Sequence, residues 1–448
     1  MKLVVQPAAR PLDGTVTVPG DKSIGHRALL FSLLSQTTVT VRGLGDGADN
    51  GRSARAIAAL GARIDKTGGA LAITGTGLSG MRAPAAPIDC GNSGTTIRLA
   101  CGLVAGQPFA TTLVGDESLS KRPMRRVIEP LTQMGAVIAS AGDGTPPLVV
   151  GPAPGPLVPI AYVLPMASAQ VKTAVLLAGL YADGATTVTE PGPSRDHSER
   201  MLAYLGAPIA TRGRTTTVDT RGWDHRLAGA AFDVPGDPSS AAFLIAAAIV
   251  VGARELRLPG ICTNPTRTGF LDAIAAMGGQ VAFEDARVDG PEPTATLVVR
   301  GPARELRATE IAGDLAVRSI DELPVLAVVA ARARGTTVVR DADELRVKES
   351  DRIATTCAML RAFGIACEAR PDGFAVEGRP ERPLEPGRVH AEGDHRIAMA
   401  AAVAGLCVTP GQHDGLAETV IDDADNVATS YPGFAAALAH LGAEVRAL

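Results

Sequence analysis

Two kinds of apolar segment alternate along the chain, and each occurs six times. In the first kind, apolar residues recur at the three- and four-residue spacing of an amphipathic helix, and a glycine and a short strand follow. Each glycine is predicted to take the left-handed conformation just past a helix C-terminus, where a Cβ would be costly. These glycines are Gly61, Gly135, Gly206, Gly278, Gly364 and Gly442.

The second kind of segment is more uniformly apolar and is usually followed by a small turn and a β-branched strand. Its six copies read HRALLFSLL, TTIRLACGLV, AQVKTAVLLAGL, SSAAFLIAAAIV, LPVLAVVAARA and HRIAMAAAVAGL. Helices that are apolar nearly all round are predicted to be interior, with the glycine-ending helices outside them. The repeating unit is therefore roughly strand–helix–strand–helix–strand(s), used six times.

A chain of 448 residues is long enough for two domains. We expect three units in each, with the boundary in the Gly- and Pro-rich stretch 222–240. Two such α/β bodies would leave a cleft between them, which is a common position for a ligand.

Composition narrows the possible functions. Hydrophobic residues make up 46% of the chain but aromatic ones only 3%, so the core is predicted to be built from Ala, Leu, Val and Ile. The net charge of −4 gives no general attraction to nucleic acid or to an acidic membrane, so any anion site must come from local clusters of cations. The six cysteines form no CxxC pair and are interpreted as buried reduced thiols, with no metal or other cofactor. No signal peptide or membrane span is predicted, and we expect a cytoplasmic protein.

The phrases that precede the interior helices are rich in Gly, Ser, Asp and Asn, as helix caps require. For PGDPSS we accept capping alone, with Asp237 as the cap and Pro238 at the first helical position. The other five carry groups that capping does not need, and two loop arginines join them. If these helix N-termini converge, they form a site for a multiply charged anion. The groups are Lys22, Arg27, Arg98, Gln170, Lys172, Asp321 and Arg396, with Arg122 and Arg195 from loops.

The stretch 344–364 is the most unusual part of the pattern. Its second half predicts an amphipathic helix with Ile353, Leu360 and Phe363 on one face. If that helix begins by Lys348, then Lys348 and Arg352 stack on one face at the positive end of the helix dipole, and the nearby acids point elsewhere. Such a run favours an anionic ligand, although a solvated charge cluster would read the same way.

The carboxylates of Asp321 and Glu349 head helices beside these cations. Ion pairing explains both residues, and acid/base catalysis is the alternative.

Among the other candidates, the GxGxxG of residues 75–80 is interpreted as a turn because prolines follow it. His26 and His395 are interpreted as cap or core residues, and His197 and His225 as surface residues.

At these positions the chain resembles the 5-enolpyruvylshikimate-3-phosphate synthases (3-phosphoshikimate 1-carboxyvinyltransferases) over essentially its whole length. The motifs are PGDKSIGHRAL, GNSGTTIRL, KRPM, SAQVKTAVLLAGL, PGDPSSAAF, IDELPVLAV, LRVKESDRI and DHRIAMA. The resemblance implies an α/β (α+β) fold of two domains, each an inside-out barrel of three βαβαββ units, hinged over a cleft. Domain I would comprise residues 1–18 and 231–448, and domain II residues 19–230, with the first strand crossing back to domain I.

The implied reaction joins shikimate-3-phosphate to phosphoenolpyruvate and releases phosphate through a tetrahedral intermediate, by a monomer that needs no nucleic acid, membrane or cofactor. Asp321 is the implied base, Glu349 the implied proton carrier, and Lys22 the third catalytic group. The implied shikimate-3-phosphate ligands are Lys22, Ser23, Arg27, Ser168, Ala169, Gln170, Arg195, Asp321 and Lys348. The implied phosphoenolpyruvate ligands are Lys22, Gly94, Arg122, Gln170, Arg352 and Arg396.

The chain differs from the family pattern at one position. At a second position it has one of two residues that occur in the family. Thr429 stands where many members have a lysine, so one phosphoenolpyruvate contact is absent or replaced. Gly94 stands where glyphosate-tolerant members of the most similar branch can have alanine. Because no methyl group crowds the pocket at Gly94, we expect glyphosate to inhibit the protein.

Two alternatives stand beside this interpretation. The sister family, UDP-N-acetylglucosamine enolpyruvyl transferase, shares the architecture but has a reactive cysteine in a loop that corresponds to residues 118–124, where this chain has none. A noncatalytic sixfold-repeat DNA clamp would need cations along its ring-lining helices, whereas here they lie at the helix starts.

Overall fold

The computed structural model describes residues 1–302, 305–409 and 418–448, which contain thirteen α-helices and 25 strands. The helices are α1 (Lys22–Ser32), α2 (Ala48–Ala59), α3 (Gly94–Val104), α4 (Arg125–Gln133), α5 (Ala169–Gly179), α6 (His197–Tyr204), α7 (Pro238–Val251), α8 (Gly269–Ala276), α9 (Gly313–Arg318), α10 (Leu323–Ala331), α11 (Arg352–Ala362), α12 (His395–Gly405) and α13 (Phe434–His440). Short 3₁₀ turns cover Leu119–Lys121, Asp343–Val347 and Asp425–Thr429. None of the helices in the described ranges combines the length and apolarity that crossing a bilayer requires.

The strands are short, and most belong to antiparallel pairs. They are β1 (Leu3–Val5), β2 (Leu12–Thr15), β3 (Thr38–Arg42), β4 (Arg63–Thr67), β5 (Ala70–Thr74), β6 (Ile88–Asp89), β7 (Thr111–Val114), β8 (Ile138–Ala141), β9 (Thr145–Val150), β10 (Ala161–Val163), β11 (Ala185–Thr189), β12 (Ile209–Arg212), β13 (Thr215–Asp219), β14 (Ala231–Asp233), β15 (Ala253–Cys262), β16 (Ala282–Arg287), β17 (Thr294–Gly301), β18 (Leu306–Arg307), β19 (Glu310–Ile311), β20 (Ala333–Val339), β21 (Cys367–Arg370), β22 (Gly373–Gly378), β23 (Arg388–His390), β24 (Thr419–Asp422) and β25 (Val445–Ala447).

All six glycines predicted to end helices have a positive φ. The angles are +108° at Gly61, +95° at Gly135, +85° at Gly206, +92° at Gly278, +73° at Gly364 and +96° at Gly442. This is the left-handed region that a residue with a Cβ reaches only at a cost, so the helix ends are confirmed.

The prediction of interior and outer helices is also confirmed. Every residue of α10 is buried, and so is every residue of α7 except the last. In contrast, α2 buries only four of its twelve residues. The cap predicted at PGDPSS is also confirmed, because Asp237 caps α7 and Pro238 is its first residue.

The chain divides into two compact units. Unit 1 comprises residues 1–19, 235–288 and 293–448, and unit 2 comprises residues 20–234 and 289–292. The short segment 289–292 therefore clusters with unit 2, whereas the family resemblance implies that it belongs to domain I.

Unit 2 contains three four-stranded sheets of one design, ordered β14-β3-β5-β4, β6-β7-β9-β8 and β10-β11-β13-β12. In each sheet an edge strand runs parallel to its neighbour, and the other two pairs are antiparallel. The runs β6–α3–β7–α4–β8–β9 and β10–α5–β11–α6–β12–β13 are thus two βαβαββ repeats. In the remaining sheet, β14-β3-β5-β4, the parallel edge strand is β14. This strand follows β13 in the chain, so it comes after both of those repeats.

Unit 1 contains sheets ordered β16-β17-β15-β2, β18-β20-β22-β21 with β19 beside β20, and β23-β24-β1-β25. Two of these sheets take a strand from the start of the chain. β2 pairs parallel with β15, and β1 lies between β24 and β25, with Leu3 opposite both Ile421 and Ala447. This is the crossing of the first strand that the resemblance implies. The buried faces enclose one apolar core built around α7, α10 and α12.

Candidate active site

The first turn of α1 brings together a half-buried lysine and a buried arginine. Asp21 caps the helix by accepting from Ile24 N at 2.9 Å, which leaves Lys22 at the first helical position. Lys22 Nζ lies 3.2 Å from Asp49 Oδ2. Arg27 follows one turn later and is only 2% exposed. The sequence therefore places a cation at a helix start and a second cation on the turn beneath it.

Arg27 is held by three oxygens. Its Nε donates to Ser198 Oγ at 2.7 Å, its Nη1 to Ser23 O at 3.0 Å, and its Nη2 to Thr173 Oγ1 at 3.3 Å. Arg195 Nη1 donates to Ser23 Oγ at 3.1 Å, so Ser23 joins the two arginines. Burial lowers the pKa of Arg27 to about 10, which leaves the guanidinium charged at neutral pH. Three of the predicted ligands are thus brought together.

The N-termini of α3 and α5 meet through a second network. Arg98 Nη1 donates to Gln170 Oε1 at 2.7 Å, and Gln170 Nε2 donates to Thr95 Oγ1 at 2.9 Å. These two bonds orient the amide of Gln170. Ser168 caps α5, whose first residue is Ala169.

Arg122 lies beside the start of α3. Its Nη2 donates to Asn92 Oδ1 at 2.7 Å, and Asn92 in turn donates to Asp116. No acceptor among the described residues bonds its buried Nε. An ideal Cβ built on Gly94 would lie 3.5 Å from Arg122 Nη1 and 2.8 Å from Arg98 Nη1, so Gly94 borders both guanidinium groups.

Lys172 does not belong to this group of cations, which corrects the sequence analysis. Its side chain is 2% exposed, and its Nζ lies 2.6 Å from both Glu190 Oε2 and Glu199 Oε1. A buried ammonium is stable only when carboxylates pair with it. Those partners are distant in sequence, so the motif SAQVK alone did not reveal them.

The burial of one histidine differs from the prediction. His26 is buried against Ser53 Oγ at 2.8 Å, and burial lowers its pKa to about 3, so the predicted core role is confirmed. His225 is exposed, as expected. His197 was predicted to lie at the surface, which is wrong: it is fully buried, and its Nδ1 lies 2.7 Å from Glu292 Oε1. The polar run SRDHSE gave no sign of a partner 95 residues away.

In unit 1 the start of α11 also differs from the prediction. The chain forms the 3₁₀ turn Asp343–Val347, Lys348 is extended, and α11 begins only at Arg352. Asp351 determines this start, because its Oδ1 accepts from the backbone of Ile353 at 3.1 Å and of Ala354 at 3.2 Å. Lys348 and Arg352 therefore do not stack on one helix face. The predicted apolar face is confirmed, since Ile353, Leu360 and Phe363 are all buried.

Local acids do neutralise Arg352, contrary to the sequence analysis. The side chain is 1% exposed. Its Nε donates to Asp394 Oδ2 at 2.8 Å, its Nη2 to Glu349 Oε2 at 2.6 Å, and its Nη1 to Asp321 Oδ1 at 3.3 Å. Burial alone would lower the pKa of Arg352, but the carboxylates outweigh it and raise the pKa. Asp394 was missed as part of the cluster because its position also fits a helix cap, a role it does fill for α12.

The carboxylate of Asp321 lies within 4.0 Å of three cationic side chains of unit 1. Lys348 Nζ lies 4.0 Å from its Oδ1, Arg352 Nη1 lies 3.3 Å from the same oxygen, and Arg396 Nη2 lies 3.7 Å from its Oδ2. Arg396 Nη1 also donates to Asp321 O at 2.9 Å. Together with Glu349, these residues bring all the predicted site residues of unit 1 into one cluster.

Thr429 ends the 3₁₀ turn Asp425–Thr429 and is partly buried. Its hydroxyl donates to Asn426 O at 2.6 Å, and Asn426 Nδ2 donates to Gly393 O, also at 2.6 Å. The position of the missing lysine is therefore tied to the loop that leads into α12, but Thr429 itself brings no charge there.

Comparison with known proteins identifies this arrangement. Two solved EPSP synthases from Acinetobacter baumannii match it, one with a TM-score of 0.87 and 39% identity over 100% of both chains. The enolpyruvyl transferase NikO from Streptomyces tendae matches with a TM-score of 0.76 over 99% of this chain and 98% of its own. Since NikO is only 21% identical, that likeness shows the fold alone. The fold is that of the enolpyruvyl transferases, as predicted.

The sequence comparisons are more specific. The family model described as "EPSP synthase (3-phosphoshikimate 1-carboxyvinyltransferase)" matches residues 7–438. A 3-phosphoshikimate 1-carboxyvinyltransferase from Geobacter sulfurreducens is 49% identical over 96% of this chain and 97% of its own length. One from Brevibacillus brevis is 46% identical over 95% and 96%.

The chain therefore belongs to the EPSP synthase family. The predicted enzyme class, a transferase of the shikimate pathway that forms aromatic amino acid precursors, is confirmed. The sister enzyme and the DNA clamp are not favoured.

Proposed function

We propose that the two clusters bind shikimate-3-phosphate and phosphoenolpyruvate together and transfer the enolpyruvyl group between them. The observation that carries this proposal is the convergence of the predicted ligands within each unit. In unit 2 they lie at the N-termini of α1, α3 and α5, and in unit 1 they surround Asp321. Each substrate carries a phosphate and a carboxylate, which match such groups of cations.

Shikimate-3-phosphate would take its phosphate ligands from unit 2. Arg27 and Arg195 share Ser23 and present two guanidinium groups that are already oriented. Such preorganisation lowers the entropic cost of binding a phosphate. The full proposed set is Lys22, Ser23, Arg27, Ser168, Ala169, Gln170 and Arg195, with Asp321 and Lys348 from unit 1.

Phosphoenolpyruvate would be bound by arginines that differ in burial and in partners. Arg122 borders Gly94, whereas Arg352 and Arg396 are buried beside Asp321. Less water screens charges there, so an anionic substrate would compete strongly with the carboxylates that already pair with Arg352. The full proposed set is Lys22, Gly94, Arg122, Gln170, Arg352 and Arg396.

The chemistry needs a base, a proton carrier and stabilisation of a leaving phosphate. Asp321 would accept the proton of the 5-hydroxyl as that oxygen forms a bond to C2, while C3 of the enol gains a proton. The tetrahedral intermediate then expels phosphate and loses a proton from C3, which restores the enol ether. Glu349 would carry the proton at C3, since Arg352 Nη2 holds its carboxylate at 2.6 Å. Lys22 would stabilise the departing phosphate.

Three positive side chains lie around the carboxylate of Asp321. The phosphate and carboxylate groups of the substrates would compete with Asp321 for these cations.

The direct test is the release of phosphate from phosphoenolpyruvate, with and without shikimate-3-phosphate. We expect rapid release only when both substrates are present. Asp321→Asn and Glu349→Gln should each reduce kcat by roughly 10²–10⁴-fold, the usual contribution of an acid or base. Phosphate release that does not depend on shikimate-3-phosphate would contradict the assignment.

A monomeric state and a cytoplasmic location belong to the same proposal. Light scattering coupled to size-exclusion chromatography tests the first: a mass near 45.8 kDa supports a monomer, and twice that value contradicts it. Cell fractionation tests the location.

A further inference from the structure

A buried polar chain in unit 1 begins at the cap of α7 and ends at Arg396. Asp237 Oδ1 accepts from Ser239 N at 2.8 Å, as a cap requires. The same oxygen also accepts from Arg267 Nη2 at 2.8 Å, and that nitrogen donates to Ser239 Oγ at 3.0 Å. The PGDPSS motif is therefore more than a cap, because it also holds a buried arginine.

Ser239 is also hydrogen-bonded to a buried glutamate. Its hydroxyl donates to Glu322 Oε1, and the same carboxylate oxygen lies 3.7 Å from Arg396 Nη1. Glu322 is only 4% exposed and Arg396 only 7%. Arg396 Nη1 also donates a hydrogen bond to Asp321 O at 2.9 Å, so an ion pair and a hydrogen bond hold its guanidinium from two sides.

Helix capping does not account for Glu322. It stands at the cap position of α10, but its side chain makes no cap hydrogen bond. A buried carboxylate is costly unless it is paired. Burial raises the pKa of Glu322, and so does Asp321, while the charges of Arg396 and Arg267 and the hydroxyl of Ser239 lower it. Arg396, Arg267 and Ser239 thus offset part of the cost of burial, although the pKa of Glu322 stays raised overall.

We propose that Glu322 is a positioning residue for phosphoenolpyruvate, which holds the Arg396 guanidinium in place and is itself held by Ser239. This inference rests on the proposed role of Arg396 as a phosphoenolpyruvate ligand. Neither Glu322 nor Ser239 needs to touch the substrate. Both determine where the positive charge of Arg396 lies.

Glu322→Gln tests the proposal because it keeps the side-chain shape and an acceptor for Ser239 but removes the charge. We expect the KM for phosphoenolpyruvate to rise about tenfold, as for the loss of one charged contact, while kcat and the KM for shikimate-3-phosphate change less than about twofold. Ser239→Ala should act in the same direction but more weakly. Glu310→Gln is the matched control, because Glu310 pairs with Arg340 at the surface of the same unit.

A double-mutant cycle tests the positioning role of Glu322 separately from the proposed role of Arg396 as a phosphoenolpyruvate ligand. If Glu322 acts through Arg396, adding Glu322→Gln to Arg396→Ala should raise the KM for phosphoenolpyruvate no further. If Arg396→Ala leaves that KM unchanged, the role of Arg396 is wrong. If Arg396→Ala raises it and Glu322→Gln does not, only the positioning role is overturned. The same holds if Glu322→Gln raises both KM values and lowers the melting temperature, since its effect is then structural.

Discussion

At the residue scale, the cations of the proposed site already have partners in the protein. Lys22 faces Asp49, Lys348 faces Glu344 at 3.6 Å, and Arg352 faces three carboxylates. The substrates must therefore compete with protein carboxylates. Part of the free energy of substrate binding then offsets the loss of these ion pairs. Arg122 is different, because its partner Asn92 is neutral and its charge remains fully available to a ligand.

Arg122→Ala should therefore reduce kcat/KM for phosphoenolpyruvate by at least about a hundredfold, as expected for a charged ligand group with a desolvated partner. Its melting temperature should stay within a few degrees of the original, because one hydrogen bond to a neutral partner contributes only about 1 kcal/mol. Lys121→Ala is the matched control, since the Lys121 side chain is 73% exposed and pairs with Glu117. If the two variants have equal activity, Arg122 is not a ligand.

Gly94→Ala should separate glyphosate from phosphoenolpyruvate. We expect micromolar glyphosate to inhibit the protein as it stands. The added Cβ would lie 2.8 Å from Arg98 Nη1, so that guanidinium must shift and the space beside Arg122 shrinks. The inhibitory concentration of glyphosate should then rise more than the KM for phosphoenolpyruvate does. Steady-state inhibition of both proteins measures this, and a proportional rise in the two constants would contradict it.

At the element scale, the sequence predicted what depends on neighbouring residues and missed what depends on distant ones. The six helix-ending glycines were correct because the cost of a Cβ at positive φ is local to one residue. The start of α11 is an exception, because it depends on a neighbouring residue, Asp351, whose cap makes the helix begin at Arg352 rather than by Lys348. The burial of Lys172 and of His197 depends on carboxylates elsewhere in the chain, which no periodicity reveals.

The close approach of α3 and α5 gives an element-scale prediction. A Cβ on Gly102 of α3 would lie 2.3 Å from the backbone oxygen of Ala174 in α5, so the helices must separate. Gly102→Ala should lower the free energy of unfolding by about 1–3 kcal/mol, as overpacking does. It should also weaken catalysis, since Arg98 and Gln170 bond across these helices.

Gly51→Ala is the matched control for Gly102→Ala in the same unit. Gly51 lies within α2, and the nearest atom to its Cβ would be Arg55 Nη1 at 3.7 Å. That substitution should stabilise the protein by about 0.5–1 kcal/mol through helix propensity alone. Urea unfolding followed by circular dichroism measures both changes. Effects of equal sign would contradict the packing explanation.

At the scale of the whole molecule, each unit depends on strands from outside its own consecutive repeats. β14 completes the first sheet of unit 2, and β1 and β2 complete two sheets of unit 1. The count of six repeats follows from local pattern, but strand pairing is nonlocal, so the sequence pattern alone did not show which strand closes which sheet. The resemblance implied only the crossing of the first strand.

The stability of the whole molecule should fall in mild acid because of one buried histidine. Burial lowers the pKa of His26 from 6.5 to about 3, so below pH 6.5 the unfolded chain binds a proton that the folded protein does not. The free energy of unfolding then decreases by up to about 1.4 kcal/mol per pH unit until the pH approaches 3. The lowered pKa of Asp394 acts in the same direction at lower pH, whereas the raised pKa of Glu322 opposes it.

Urea unfolding at pH 7 and pH 5 should therefore show a loss of about 2 kcal/mol that His26→Gln largely removes. Gln can still bond Ser53, but it takes up no proton in this range. His225→Gln is the control, because it makes the same substitution at an exposed histidine. If His26→Gln keeps the full pH dependence, the histidine is not the group responsible. In that case the acid sensitivity would have to arise from another group with a lowered pKa, such as Asp394 beside Arg352.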